Sequence, residues 1–165
     1  MAHYYPPPVF HFKVEVQLAG LRRPDGKPAK FPPNDNDVRF AEASGLSMEM
    51  TSEEMPEGGE NRFVQKYPLR AKYPELVLKR GLLVRSSVFE WMRGAIQDFL
   101  ILPTDVFVKL LNPEHEPLMT WHLVNAYPTK WTLGDLNASG NAVAIETLQL
   151  YYQYFSVEPK LALED

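Results

Sequence analysis

The feature of this chain that most restricts its fold is the strict alternation of apolar and polar residues in several segments. In residues 9–18, apolar side chains fall on one face of an extended chain and polar side chains on the other. The apolar set is Phe10, Phe12, Val14, Val16 and Leu18. Because side chains alternate across a strand, this pattern predicts a half-buried strand, and it recurs in residues 46–51 and 106–110. The chain should therefore be built from antiparallel sheets.

Turn-forming residues divide the rest of the chain into further short segments. Clusters of glycine, proline and acidic residues lie at the ends of short apolar runs. These runs predict strands over residues 38–43, 62–67, 75–80, 118–127 and 142–155. Residues 20–37 contain four prolines and many charges, which is typical of a long surface loop. We interpret this segment as a proline-rich insertion in a single domain that spans residues 1–165.

One segment has helical rather than strand periodicity. Apolar side chains recur every three or four positions over residues 88–99, and Ser87 with Glu90 has the spacing of a capping box. The sum is about eight strands and one helix. We therefore expect a mainly β (β+α) protein, with two packed antiparallel sheets that form a β-barrel or sandwich and one peripheral α-helix.

Composition excludes several functional classes. The chain has no cysteine, so disulfides and cysteine-based metal sites or nucleophiles are absent. Its net charge of −4 at pH 7 gives no basic surface of the kind that binds nucleic acid. Residues 1–12 lack the basic and apolar regions of a secretory signal peptide, and no apolar stretch of about 18 residues predicts a transmembrane helix. We expect neither specific nucleic-acid binding nor direct membrane insertion.

No motif in the chain predicts catalysis. Walker, Rossmann and G-x-S-x-G patterns are missing, and the four histidines lack the spacing of a zinc-binding helix. Asp135, Asn137, Ser139 and Glu146 do match the ligand spacing of an EF-hand calcium loop. Strands rather than helices are predicted around that loop, so a chance match is the better interpretation. We expect no catalytic residue, no cofactor and no metal ion.

Two blocks of sequence carry a resemblance to a known family. The first contains residues 44–50 (SGLSMEM), 53–54 (EE), 57–61 (EGGEN) and 72–81 (KYPELVLKRG), and the second contains residues 121–131 (WHLVNAYPTKW), 135–138 (DLNA) and 145–148 (IETL). Together they resemble the tail tube proteins of contractile phages and of extracellular contractile injection systems. The resemblance covers residues 9–157, and residues 20–37 form a longer segment than in shorter family members.

The resemblance implies a structural role. Subunits would form hexameric rings that stack into a hollow inner tube, which carries cargo and is driven out when a surrounding sheath contracts. The implied partners are further copies of the chain, the sheath, spike or baseplate and cap proteins of the particle, and a cargo protein in the lumen. Assembly would take place in the cytoplasm, and the finished phage-tail-like particle could then act outside the cell.

A glycine-bearing acidic segment is the predicted contact between subunits or rings, since its charges and glycines suit a loop that orders on assembly. We expect two basic residues elsewhere to supply partner charges. The predicted interface residues are Glu53, Glu54, Glu57, Gly58, Gly59, Glu60, Asn61, Lys79 and Arg80.

Two alternatives stay open at this point. A tube-initiator subunit would have the same fold but would join the tube to the spike or baseplate. A free-standing β-barrel that binds a small ligand would instead be a monomer with a deep pocket.

Overall fold

The computed structural model describes residues 11–56, 58–59 and 62–159, so the predicted strand residues Val9 and Phe10 lie outside it. The described residues form one α-helix, α1 (Ser87–Gln97), and a short 3-10 helix (Asp35–Val38). They also form the strands β1 (His11–Val16), β2 (Glu42–Ser44), β3 (Glu49–Met55), β4 (Gln65–Lys72), β5 (Leu76–Gly81), β6 (Thr104–Leu111), β7 (Pro117–Leu133), β8 (Ile145–Tyr151) and β9 (Tyr154–Pro159).

The long strand β7 joins two antiparallel sheets. Its first half pairs with β6 on one side and β9 on the other, which gives sheet 1 in the order β1–β6–β7–β9. Its second half pairs with β8, which gives sheet 2 in the order β7–β8–β5–β2. The predicted class, mainly β with antiparallel sheets and one helix, is confirmed. The strand pairings among the described residues do not close into a ring, so a barrel is not formed within them.

Both sheets contribute to one hydrophobic core because their strands alternate buried and partly exposed residues. Sheet 1 supplies Val14, Val106, Val108 and Leu123. Sheet 2 supplies Leu76, Leu78, Leu148 and Leu150. This is the packing expected when period-two strands turn one face inward.

Helix α1 packs on the core through Trp91, whose indole Nε1 donates to the Leu102 carbonyl at 2.9 Å. The N-cap is Ser86, whose hydroxyl accepts from the Phe89 amide at 3.0 Å. The predicted capping box at Ser87 and Glu90 is therefore wrong by one residue. Ser87 instead donates its hydroxyl to the Pro32 carbonyl. Glu90 pairs with Arg93 at 2.6 Å.

Residues 20–37, the segment interpreted above as a proline-rich insertion, have contacts that order them. Arg22 pairs with Pro28 in a short bridge that closes a turn, and Leu21, Ala29 and Phe31 pack against the core. The segment ends in the 3-10 helix, which includes Val38, and only the last two residues of the strand predicted over residues 38–43 lie in a strand, β2. We call the compact turn of residues 21–30 the basic hairpin, because it carries Arg22, Arg23, Lys27 and Lys30.

Two further predicted boundaries were wrong. The strand predicted over residues 142–155 is two strands, β8 and β9, because the chain turns at Tyr152 and buries its ring in the core. The strand predicted over residues 62–67 begins at Gln65 instead and continues to Lys72, so Pro68 lies inside β4. It pairs with Ser52 beside a bulge, where a residue without an amide hydrogen is tolerated.

Candidate functional site

Strands β3 and β4 form a two-stranded ribbon, which we call the arm. Their residues pair with each other, and no other described helix or strand packs substantially on either. All but two of the arm's strand residues are exposed. A two-stranded ribbon is only marginally stable in water by itself, so an arm of this kind favours a partner that covers it.

The arm exposes large apolar side chains. Met50 is 68 % exposed, and Met55, Tyr67 and Leu69 are also exposed. In the outer half of the arm, Glu53 is the register partner of Tyr67, so their side chains lie on the same face as Met55. Several exposed apolar residues on one projecting element are typical of a protein-contact surface.

The predicted interface residues are only partly brought together. Glu53 and Glu54 lie in β3 rather than in a loop, and Glu54 pairs with Lys66 across the arm at 3.0 Å. Gly58 and Gly59 occupy the turn, where the φ of Gly59 is +101°. The predicted residues Glu57, Glu60 and Asn61 lie outside the described residues.

The two predicted basic partners have different positions, although they are neighbours on β5. The Lys79 ammonium is half-exposed and lies 3.1 Å from the Glu42 carboxylate on the outer face of sheet 2. The Arg80 side chain points into the protein and is 2 % exposed. The prediction of an exposed interface charge at Arg80 is therefore wrong, and only Lys79 remains as a candidate basic partner at the interface.

Arg80 is the centre of a buried polar cluster. Its Nε donates to Glu146 Oε1 at 2.5 Å, and its Nη2 donates to Ser86 Oγ at 2.7 Å. Its Nη1 lies 3.3 Å from Asp37 Oδ1. Trp131 Nε1 donates to the other oxygen of Glu146 at 3.0 Å. The cluster thus ties the end of the insertion and the start of α1 to sheet 2.

Both sheets end in strands whose outer edges have no partner among the described residues. Strand β1 ends sheet 1 on one side, β9 ends it on the other, and β2 ends sheet 2. An open edge presents unpaired amide and carbonyl groups that can pair with another chain. Open edges and the uncovered arm together define a protein that can extend its sheets by association.

The outer face of sheet 1 is polar and carries a network of charges. Glu15 pairs with Lys13 and with Lys109, each at 2.6 Å. Partial burial would raise the pKa of Glu15, but the two ammonium groups outweigh it and lower that pKa. Nearby, Asp105 Oδ2 lies 2.8 Å from His122 Nε2, whose ring stacks on Phe107.

The Asp105 contact predicts a pH effect on stability. The hydrogen bond from His122 lowers the pKa of Asp105 despite partial burial, and the Asn125 amide adds to the effect. Because the folded pKa lies below the unfolded one, this stabilisation is present above about pH 4 and is lost as pH falls through the folded pKa. We expect Asp105→Asn to lower stability at pH 6 by up to about 1 kcal/mol, since the pair is partly exposed.

Urea unfolding of the wild type and the Asp105→Asn variant at pH 6 and pH 2.5 measures this difference. The gap between the two unfolding midpoints should narrow as the pH falls from 6 to 2.5, because protonation of Asp105 in the wild type removes its charge as well. A gap that stays constant with pH would contradict the assignment.

Within the described ranges, no group of three or more His, Asp or Glu side chains is placed to hold a metal ion. Glu146, the last residue of the calcium-like spacing, is buried and bound to Arg80 and Trp131. No helix among these residues is long and apolar enough to cross a membrane.

The fold and its uncovered surfaces favour a structural subunit that associates with other chains. The chain belongs to the T4-like virus tail tube protein gp19 family, whose sequence pattern matches residues 8–156. The family is structural, and the chain is not an enzyme. This confirms the resemblance seen in the sequence. Among curated protein sequences, none matches this chain significantly.

Solved structures of injection machines contain similar chains. A chain of the anti-feeding prophage baseplate is 29 % identical, covers 96 % of this chain and 100 % of its own length, and has a TM-score of 0.77. A chain of the sheath-tube complex of PVC, an extracellular contractile injection system, is 25 % identical, with coverage of 94 % and 93 % and a TM-score of 0.72. A type six secretion system protein, 11 % identical with coverage of 90 % and 84 % and a TM-score of 0.55, shares the fold.

Sequence reasoning missed the apolar side chains of the arm. Met50 alternates with polar neighbours in the same way as core residues do, so periodicity placed it in a half-buried strand, and Leu69 lay outside every predicted strand. The available signal was the local density of charge: β3 and β4 carry three glutamates, two lysines and an arginine in fifteen residues. Such density is unusual for a strand that packs on a core.

Proposed function

We propose that this chain is the main subunit of the inner tube of a contractile phage-tail-like injection particle. Copies form hexameric rings that stack into a hollow conduit for a cargo protein, and sheath contraction drives the conduit outward. The observation that carries this proposal is the arm, an exposed ribbon whose apolar side chains are covered by no other described helix or strand.

The two-sheet architecture fits a ring. Each sheet has four strands, counting the shared β7 in both. If each of six subunits contributes one such sheet to a closed wall, the wall has about 24 strands at roughly 4.8 Å spacing. The circumference is then about 115 Å and the diameter about 37 Å before tilt and side chains, which is wide enough for an unfolded or a small folded protein.

The proposed contacts are the open edges of the sheets and the arm, with Glu53, Glu54 and the turn glycines Gly58 and Gly59 at the subunit or ring interface. Lys79 is the basic partner retained from the sequence-based set. Further partners are the sheath, the spike or baseplate and the cap proteins, consistent with the particles in which similar chains occur. Assembly takes place in the cytoplasm, and the particle then acts outside the cell.

A tube-initiator subunit is the second candidate. The similarity of 29 % to a chain of a baseplate structure favours it, compared with 25 % for the chain of a sheath-tube complex. Cryo-electron microscopy of the assembled particle separates the two roles. The main subunit occupies every ring along the length of the tube, and an initiator occupies only the ring next to the spike.

The arm is tested by making its apolar face polar. We expect the double variant Met55→Ser/Tyr67→Ser to stay folded, because both side chains are exposed in the free subunit, and to lose rings and tubes in negative-stain images. Unfolding free energy should stay within about 0.5 kcal/mol of the wild type. Val143→Ser, which changes an exposed apolar residue outside the arm, should assemble normally. A wild-type chain that remains a monomer at high concentration would refute the proposed function.

A further inference from the structure

A second exposed apolar surface lies at the end of α1, far from the arm in sequence. Arg93 and Ile96 are neighbours on α1 at a spacing of three residues, and Phe99 follows two residues after the helix ends at Gln97. Phe99 is 82 % exposed and Ile96 is 48 % exposed. A large aromatic side chain this exposed gives the free subunit no packing energy.

The backbone at Phe99 strengthens this point. Its φ is +51°, in the left-handed region that a helix end usually gives to glycine. The Leu100 amide then bonds back to the Gly94 carbonyl at 2.9 Å and closes the helix. Phe99 therefore has an unfavourable backbone conformation, and its exposed ring does not stabilise the isolated chain. We infer that the ring contacts another molecule.

The basic hairpin borders the same region. A small groove of about 170 Å³ is lined by Arg23 and Lys30 from the hairpin and by Arg93, Asp98 and Leu100 from the helix end. Arg93 is paired with Glu90. Arg23 and Lys30 form no ion pair with any carboxylate that the structure describes. The surface of Arg23, Lys30, Arg93, Ile96 and Phe99, which we call the helix–hairpin surface, thus combines apolar side chains with unpaired positive charge.

The arm has the complementary chemistry. Its outer face combines Met55 and Tyr67 with Glu53, which forms no ion pair with a described cation. Asp98 also lines the groove, but Arg23 and Lys30 leave the helix–hairpin surface with an excess of positive charge, so one surface is apolar and basic and the other is apolar and acidic. Apolar contact at the centre and opposite charges beside it are what a specific protein interface needs.

We propose that the helix–hairpin surface receives the arm of a second copy of this chain. Phe99 and Ile96 pack against Met55 and Tyr67, and Glu53 pairs with Lys30 or Arg23. This inference rests on the proposed function and names both sides of one of its interfaces. It also gives the insertion a role, since the basic hairpin supplies the charge that attracts the arm.

Phe99→Gly separates assembly from folding. Glycine relieves the left-handed backbone, so we expect the thermal midpoint of the dissociated subunit to rise by about 2–4 °C. The same change removes the aromatic contact, so the concentration at which tubes form, measured by light scattering, should rise at least about tenfold. A purely structural role for Phe99 would move stability and assembly in the same direction.

Charge exchange identifies the partner. Glu53→Lys and Lys30→Glu should each impair tube formation, and the double variant should recover it; Arg23→Glu is tested in the same way. Arg39→Glu, which reverses an exposed cation outside the surface, is the control and should form tubes at the wild-type concentration. If Phe99→Gly assembles like the wild type and neither exchange recovers assembly, the inference is wrong while wild-type tubes still support the proposed function. If the wild-type chain forms no tubes, both this inference and the proposed function are refuted.

Discussion

Replacing Arg80 with alanine should cost about 3–5 kcal/mol of folding free energy, out of the roughly 5–15 kcal/mol typical of a domain. The reason is the carboxylate left behind. Glu146 is completely buried, and its Oε1 takes a hydrogen bond from Arg80 at 2.5 Å. Asp37 would lose its ion pair as well, although it keeps bonds from the Ser86 hydroxyl and the Ser87 amide. A buried charge without a partner is far more costly than an exposed one.

The neighbouring residue supplies the control for Arg80. Lys79 lies on the opposite face of β5 from Arg80, and Lys79→Ala removes its exposed ion pair with Glu42 of β2. That ion pair contributes at most about 1 kcal/mol to the folding free energy. Urea unfolding of the unassembled subunit, at concentrations too low for association, compares the two variants. The double variant Arg80→Met/Glu146→Leu should be more stable than Arg80→Met, because it removes the orphaned carboxylate. Equal losses for Arg80→Ala and Lys79→Ala would contradict this account.

Gly45→Ala should destabilise the subunit by about 3 kcal/mol or more, from two additive causes. The φ of Gly45 is +92°, which an L-residue adopts only with strain. A Cβ at this position would also lie 2.1 Å from the backbone carbonyl oxygen of Glu75. Because that oxygen belongs to the backbone just before β5, the clash cannot be relieved by a side-chain rotation.

The same glycine holds a second contact through its own carbonyl, which accepts from the Tyr152 hydroxyl at 3.2 Å. Burial raises the pKa of that hydroxyl to about 12, so it remains a donor across the neutral range. Gly20→Ala is the matched control, since Gly20 has a φ of +81° but no atom within 4 Å of a new Cβ. It should cost only about 1–2 kcal/mol for the backbone conformation. Similar losses of folding free energy for the two variants would show that the backbone around Gly45 shifts to relieve the clash.

Local chemistry made much of the fold predictable. The alternation in residues 9–18 and 106–110 gave β1 and β6, and the helical spacing around Trp91 gave α1 to within a residue or two of its ends. The two sequence blocks that resemble the tail tube family predicted the class of protein. Boundaries failed where a tertiary partner decided them: Ser86 became the N-cap where Ser87 was expected, because Asp37 binds the Ser87 amide.

The candidate interface was predictable only in position along the chain. The charge and glycine content of residues 53–61 marked an unusual segment, but charge alone did not show that Glu53 lies in a strand beside exposed apolar residues. Lys79 and Arg80 are equivalent in sequence, yet strand alternation sends one outward and the other into the core. Which neighbour faced inward depended on the register of β5 against β8.

The sequence by itself determined the β-rich class, the single helix, the absence of cysteine chemistry and the membership of the tail tube family, because each of these depends on residue type and local period. Only the tertiary structure decided that β7 serves two sheets, that Arg80 binds Glu146, and that no other described helix or strand covers the arm. These are contacts between residues far apart in sequence, and a periodic pattern says that a face is apolar without saying what it meets.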